Sequence, residues 1–212
     1  MKTKRPSKLF HFQRTIVLRS AATLLVLILS ACNLSAQFLA KPVNLAYLSQ
    51  RADVIMQGRI TRVIEQPMPG YPNIPTVAVT IAVDQSLRGS TGKTYTFREV
   101  VIGQKPKSSK RNYRAGQHFL LFLPTPSKFG LSSPIGLGQG RFRIADDTSG
   151  QLTIMNERNN VGLFQGVEKA ARASGKQLTA SQRRLASTEH GPVALDEFVS
   201  LVKSLATLPR IR

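Results

Sequence analysis

A mainly β domain, a small closed or half-closed barrel carrying a C-terminal helix, is the fold class that this 212-residue sequence predicts, and three stretches predict it. In TVAVTIAVDQSL, Val77, Val79, Ile81 and Val83 alternate with Ala78, Thr80, Ala82 and Asp84, so the large apolar side chains fall on one pleated face. HFLLFL carries five consecutive apolar residues, Phe119 to Leu123, and reads as a strand buried on both sides. The tail PVALDEFVSLVKSLATL changes period: Leu195, Phe198, Val199, Val202 and Leu205 form an apolar helical stripe, with Asp196 and Glu197 near its start and Lys203 near its end, as the helix dipole prefers.

The remaining elements follow in order. NLAYLSQRA predicts a brief helix with Asn44 as its N-cap and Leu45 and Leu48 on one face. DVIMQGRITRVI, residues 53–64, has strand composition but only rough alternation, and Gly58 in its middle suggests a bulge or tight bend. Four prolines in QPMPGYPNIP mark a loop. After the 76–87 strand, the turn RGSTGK leads into TYTFREVV, where Tyr95 and Phe97 share a face. Pro124 and Pro126 stop HFLLFL. RFRIADDTSGQLTIM predicts a hairpin, with Phe142 and Ile144 on one arm, Leu152 and Ile154 on the other, and a turn over Asp146 to Gly150. From Gly166 the chain turns polar and rich in Ala and Ser, which predicts a short helix and then a flexible linker. The expected organisation is therefore a signal at 1–31, a spacer at 32–44, the barrel at 45–165, the polar linker at 166–191 and the amphipathic helix at 192–208.

The first 31 residues obey a different logic. Lys2, Lys4, Arg5, Lys8, Arg14 and Arg19 precede an uncharged run from Ser20 to Ala31, and no acidic residue occurs before Asp53. Twelve helical residues span only about 18 Å, short of a bilayer core. A basic flank, a short apolar run and small residues at its end make an export signal. Leu29, Ser30, Ala31 and the lone cysteine, Cys32, resemble the lipobox of bacterial lipoproteins. That resemblance implies cleavage between Ala31 and Cys32, a diacylglyceryl thioether on Cys32, and acylation of the new amino group. Each buried methylene adds about 0.8 kcal/mol, so two or three chains give a stable membrane anchor where one would not. Asn33 resembles the residue that directs such proteins to an outer membrane facing the periplasm in a host with two membranes. Two other readings stay open: a cut after Ala36, where Leu34 is a poor small-residue match, and an uncleaved anchor, for which the run is short.

Removing the signal leaves 24 Lys and Arg against 11 Asp and Glu, a balance of +13, so the basic character does not belong to targeting alone. Such a surface favours anionic lipid head groups or an anionic envelope polymer; export argues against nucleic acid as the partner. The densest cluster, KPKSSKRNYR, offers Lys105, Lys107, Lys110, Arg111 and Arg114 as polyanion-binding candidates, against the plainer reading of a solvated basic loop.

Two stretches support a resemblance for the mature part. ADVIMQGRITRV with the strand ending in VDQSLRG, and HFLLFLP followed by GLGQGRFRI, resemble domains of uncharacterised exported bacterial proteins and, more distantly, the netrin-like modules of tissue inhibitors of metalloproteinases. The implied fold is a small OB-like barrel over about residues 52–164. Those modules are disulfide-rich, and a single cysteine forms no internal disulfide. Those inhibitors also bind the target's zinc through a free N-terminal cysteine amine, which acylation of Cys32 would remove.

Catalytic chemistry has little to hold on to in the sequence. GLGQG, Gly136 to Gly140, leads into a strand with no following GK[ST], which favours a tight backbone crossing over a phosphate cradle. His118 begins the buried strand and His190 lies in the polar segment, neither with a partner at metal-ligand spacing, so no metal or cofactor is expected. Asp146 and Asp147 read as turn chemistry rather than a calcium loop. Glu65, Asp84 and Glu99 sit in or beside strands and, if they converged, would allow paired-carboxylate hydrolysis. The leading expectation is a membrane-anchored, non-enzymatic binding or envelope-associated module. The alternatives are an exported hydrolase whose site assembles only in three dimensions, and a netrin-like inhibitor or partner-binding module.

Overall fold

Asn44 begins the first helix as its spacing predicts. Its Oδ1 accepts the Tyr47 N–H at 2.8 Å and caps α1, Leu45–Arg51, which buries Leu45 and Leu48. The computed structural model describes residues 42–89, 91–101 and 113–211, which belong to one compact unit. After α1 come β1 (Val54–Met68), β2 (Tyr71–Arg88), β3 (Thr94–Val100), β4 (His118–Leu123), β5 (Arg141–Asp146) and β6 (Leu152–Asn156). Helices α2 (Val167–Ala173) and α3 (Ala180–Ala186), the two-residue strand β7 (Val193–Ala194) and α4 (Leu195–Ala206) complete the described elements.

The strands form one antiparallel sheet in the order β3-β2-β1-β4-β5-β6-β7. The mainly β class and the C-terminal helix stand; the closed barrel does not. Closure would need β3 to pair with β5, but both edges of β5 are taken, one by β4 and the other by β6. The free edge of β3 instead meets the connection between β4 and β5, where the Ser132 N–H donates to the Arg98 carbonyl at 2.7 Å.

The sheet curls because its longest pair is bulged. Register between β1 and β2 shifts at Ile55/Met56, at Gln57/Gly58 and at Ile60/Arg62. At Gly58 a Cβ would lie 2.2 Å from the Ala82 carbonyl oxygen, so only glycine allows this approach. The curl lets the inner face enclose its own core: Met56 and Ile60 of β1, Val79 and Ile81 of β2, Phe97 of β3, Tyr113, and Phe119, Leu121 and Leu123 of β4. On the outer face, the alternate residues Leu120 and Phe122 of β4, with Phe142, Ile144 and Ile154, are covered by the helices. Phe198 of α4 is the centre of that cover, 5.0 Å from the Phe142 ring and 6.3 Å from Phe164. HFLLFL is thus buried on both sides, as its unbroken apolar run predicts.

Two segments differ from expectation. The proline-rich stretch expected as a loop is the far end of the β1–β2 ribbon, turning at Pro69 and Gly70 with Pro67 opposite Pro75. Proline is tolerated there because β4 pairs with β1 only over Val54–Arg59 and β3 reaches β2 only as far as Thr76, so no third strand asks for the missing donors. The polar 166–191 segment, expected as one helix and a linker, holds two docked helices. A capping box between Thr179 and Gln182 starts α3, Leu178 and Leu185 are buried, and Gln182 Nε2 donates to Ser200 Oγ at 3.1 Å and Ser204 Oγ at 2.9 Å on α4. Four buried apolar side chains, Val167, Ala171, Leu178 and Leu185, with the buried Gln182, dock a stretch whose average composition is polar.

Arg88, at the end of β2, ties this layer to the sheet. Its guanidinium donates to the carbonyls of Ser49 and Ala52 at the end of α1 and of Ala206 and Leu208 at the end of α4. A fixed cation there meets the unsatisfied C-terminal carbonyls of two helices at once.

Candidate functional site

The helices cover only part of the outer face, and what the register places on the rest is basic. Arg59 lies opposite Ala82, which pairs with Thr94; Arg62 lies opposite Thr80, which pairs with Thr96; Ile64 lies opposite Ala78, which pairs with Arg98. These three cross-strand rows share one face, since Thr80 and Thr96 join hydroxyls at 2.9 Å while the intervening Ile60, Val79, Ile81 and Phe97 point into the inner core. Arg59 and Arg62 are exposed and Arg98 half-buried, and the rows hold no carboxylate. Three guanidiniums, two on β1 and one on β3, interleaved with Ala, Thr and Ile64 side chains, make a shallow cationic surface on a rigid support. Guanidinium keeps its charge throughout the physiological range and presents a fork suited to phosphate and carboxylate oxygens.

A polar cluster around the buried His118 borders this face. His118 is 8% exposed, and its Nε2 lies 2.9 Å from Asp84 Oδ2 and 3.2 Å from Gln57 Nε2. The Gln57/Gly58 bulge leaves Asp84 as the extra residue of β2, which brings its carboxylate to the ring. Burial lowers the imidazole's pKa, the nearby Arg59 charge lowers it further, and Asp84 opposes both. Nδ1 is buried without a hydrogen-bond partner. Gln57 also lines a groove of 810 Å³ between β1, β2 and α4, along with Gln85, Gln151, Ser200 and Lys203.

A second cluster lies on the inner face. The Tyr113 hydroxyl donates to Glu99 Oε2 at 3.3 Å, the Arg141 guanidinium stacks 4.8 Å from the Tyr113 ring centre, and Arg141 Nη2 bonds Glu157 Oε1. Burial raises the Glu99 pKa, partly offset by the Arg141 charge and the tyrosine hydrogen bond. Burial likewise raises that of Tyr113, with the Glu99 charge adding to it. Burial works against the charge on Arg141, but Tyr113 and Glu157 outweigh it and leave the pKa raised. Glu99 and Glu157 therefore flank a cation, not a water-sized gap between two free carboxylates.

The candidate residues read from the sequence divide between these places. Ala31, Cys32, Lys105, Lys107, Lys110 and Arg111 lie outside the described residues. Arg114 is exposed in the turn before β4, its N–H donating to Gln117 Oε1 at 2.7 Å. Glu65, Asp84 and Glu99 do not form one cluster: Asp84 joins His118 on the outer face, while Glu99 joins Tyr113 on the inner face, in the cross-strand row of Val77 that also holds Glu65. Asp147 serves its own turn, its Oδ1 accepting the Ser149 N–H at 2.8 Å and the Gln151 N–H at 2.9 Å. GLGQG forms a turn in which Gly140 passes so close that a Cβ would sit 3.1 Å from both Phe122 Cβ and the Ile135 carbonyl. His190 is exposed. Among the described residues no group of three or more His, Cys, Asp or Glu is placed to hold a metal ion, and no helix is long and apolar enough to cross a membrane.

Arg59 and Arg62 escape a reading of the sequence for a definite reason. Residues three apart on a regular strand point to opposite faces; the extra residue Thr61, in the Ile60/Arg62 bulge, returns them to the same one. The chain matches no protein-family model, no curated protein and no solved structure.

Proposed function

We propose that the chain is an exported binding module, held to a bacterial membrane by acyl chains on Cys32, that meets an anionic polymer of the cell envelope through the open face of β1–β3. The observation that carries the binding role is the set of cross-strand rows in which Arg59, Arg62 and Arg98 stand among Ala, Thr and Ile64 with no carboxylate. The +13 balance after removal of the signal and the Leu29-Ser30-Ala31-Cys32 motif support the charge preference and the address. The finer architecture is an opened OB-like, netrin-like barrel: the run β3-β2-β1-β4-β5 is the strand order of such a barrel left unjoined between its third and fifth strands. A non-enzymatic role is preferred because the half-buried carboxylate of Glu99 and the imidazole of His118 are engaged by neighbouring side chains.

Cosedimentation of protein lacking residues 1–32 with long-chain polyphosphate, and with anionic and neutral vesicles, tests the reading. Binding to the polymer that weakens as salt rises, and that the combined Arg59→Gln, Arg62→Gln and Arg98→Gln variant loses, is the expected result. Binding that ignores salt, or that survives in the variant, sinks the assignment of this face; vesicle binding without polymer binding replaces the polymer by lipid head groups. Mass spectrometry of the mature N-terminus beside a Cys32→Ala variant tests the anchor separately.

A further inference from the structure

Pro42 and Val43, where the chain joins the folded unit, run between two loops. A Cβ on Gly136 of the first loop would lie 2.9 Å from Val43 Cγ2, and one on Gly162 of the second 3.3 Å from Pro42 Cβ. The Val43 N–H donates to Gln139 Oε1 at 3.1 Å, and the Leu45 N–H to the Leu163 carbonyl at 2.7 Å. Each loop carries one aliphatic side chain outside the core: Leu137 is 76% exposed and Val161 49%.

Leu137 is anomalous twice over. Its φ is +56°, and the other described non-glycine residues with positive φ are Asn159 and Asn160, the type that tolerates the left-handed region. Asparagine or glycine at 137 would relieve the backbone and remove apolar surface from water, so local folding gives no reason for leucine. Strain held at an exposed position points to a role outside the fold.

We infer that Leu137 and Val161 are lipid-contacting residues, which dip into the head-group region of the bilayer that holds Cys32. The inference rests on the anchor reading. Nine residues separate Cys32 from Pro42, a reach of at most about 35 Å, so the loops beside Pro42 stay within that distance of the anchor. Two aliphatic side chains are too little apolar area to bind alone, but they orient a domain that acyl chains already hold. The sheet register sets Arg59 apart from this end, whereas Arg98 lies against the β4–β5 connection, its carbonyl accepting the Ser132 N–H. Gly140 lies beside Phe122, whereas Arg59 pairs with His118, four residues away along β4 and opposite Ile144 near the β5–β6 turn.

The test uses the full, acylated chain reconstituted in vesicles, where thioether formation on Cys32 leaves an introduced cysteine as the free thiol. An environment-sensitive fluorophore is placed on Leu137→Cys, on Val161→Cys and, in the β5–β6 turn, on Thr148→Cys. Blue-shifted emission quenched by head-group spin-labelled lipid at the first two sites, and water-like emission at the third, is expected. Water-like emission at 137 and 161, on protein shown by mass to be acylated and by flotation to be vesicle-bound, overturns the contact while leaving the anchor intact. An N-terminus without acyl chains overturns both. Leu137→Asn in the Val161→Cys background separates lipid contact from folding: an unchanged or higher thermal midpoint with reduced blue shift supports the inference, and a lowered midpoint assigns Leu137 to the fold instead.

Discussion

The near and far halves of the β1–β2 ribbon have the same inner face and opposite outer ones. In the near half, Ile55 and Leu87 lie under the helices, and Arg88 is fixed by the carbonyls at the ends of two of them. In the far half the inner side still packs Ile60, Val77, Val79 and Ile81, but the outer side carries Arg59, Arg62 and Arg98 among Thr, Ala and Ile64, with Ala78 buried between them. One ribbon therefore does two jobs, and the boundary falls at the bulges, where His118 and Asp84 meet. The contrast teaches that stability and binding need not compete for residues here. The helix-covered half supplies the core, which leaves the far outer face free to carry charge.

The largest expected effect belongs to the covered half. Phe198→Ala removes a fully buried ring that packs on Phe142 and Phe164, and should lower unfolding free energy by about 3–5 kcal/mol, read from urea midpoints. If the change is under about 1 kcal/mol, the helical layer does not supply the core in the way described. Next comes the inner face. Arg141→Met keeps the volume but strips Glu99 and Tyr113 of their cation, and should destabilise by about 2 kcal/mol at pH 7. That loss should shrink as the pH falls and Glu99 protonates, because a neutral carboxyl no longer needs the guanidinium.

Smaller effects distinguish the two clusters by the sign of their pH dependence. Glu99 has a folded pKa above its unfolded value, so the folded state binds more protons just above pH 4.5, and its contribution to stability is lost as pH rises through the folded pKa. His118 is the reverse. Its folded pKa lies below 6.5, so the unfolded state binds more protons there, and stability is lost as pH falls through the folded pKa. One proton limits either slope to about 1.4 kcal/mol per pH unit. Glu99→Gln should flatten the first slope and His118→Gln the second, measured as urea midpoints across pH 4 to 8; a variant that leaves its own slope intact contradicts the assignment. The smallest effect on stability is expected in the far half, where glutamine at 59, 62 and 98 should shift each unfolding free energy by no more than about 0.5 kcal/mol.

Sequence alone served best where one period runs uninterrupted. The 76–87 alternation, the double burial of HFLLFL, the Asn44 cap and the apolar stripe of the last helix are all present in the structure. It served worst where a local signal is cancelled by pairing. Prolines at 67, 72 and 75 look like a loop until the missing neighbours of the ribbon end are known, and polar composition hid the docked sides of α2 and α3. β7, only Val193 and Ala194, is too short to carry a period at all. The candidate surface was hidden by the same means. A single extra residue, Thr61, aligns Arg59 with Arg62, and Arg98 joins them only through the pairing of β3 with β2. Of the basic candidates in the loop that stood out in the sequence by density, only Arg114 is among the described residues, while its Tyr113 packs on the inner face.

The division of labour along the ribbon is tested most directly by the affinity of the Arg59→Gln, Arg62→Gln, Arg98→Gln protein for polyphosphate at low salt, set beside its unfolding midpoint. At about 1 kcal/mol for each cation near an anionic surface, affinity should fall by about 150-fold while the midpoint stays within error of the parent. Undiminished affinity in a normally folded variant would contradict the assignment of the bare face as the binding surface.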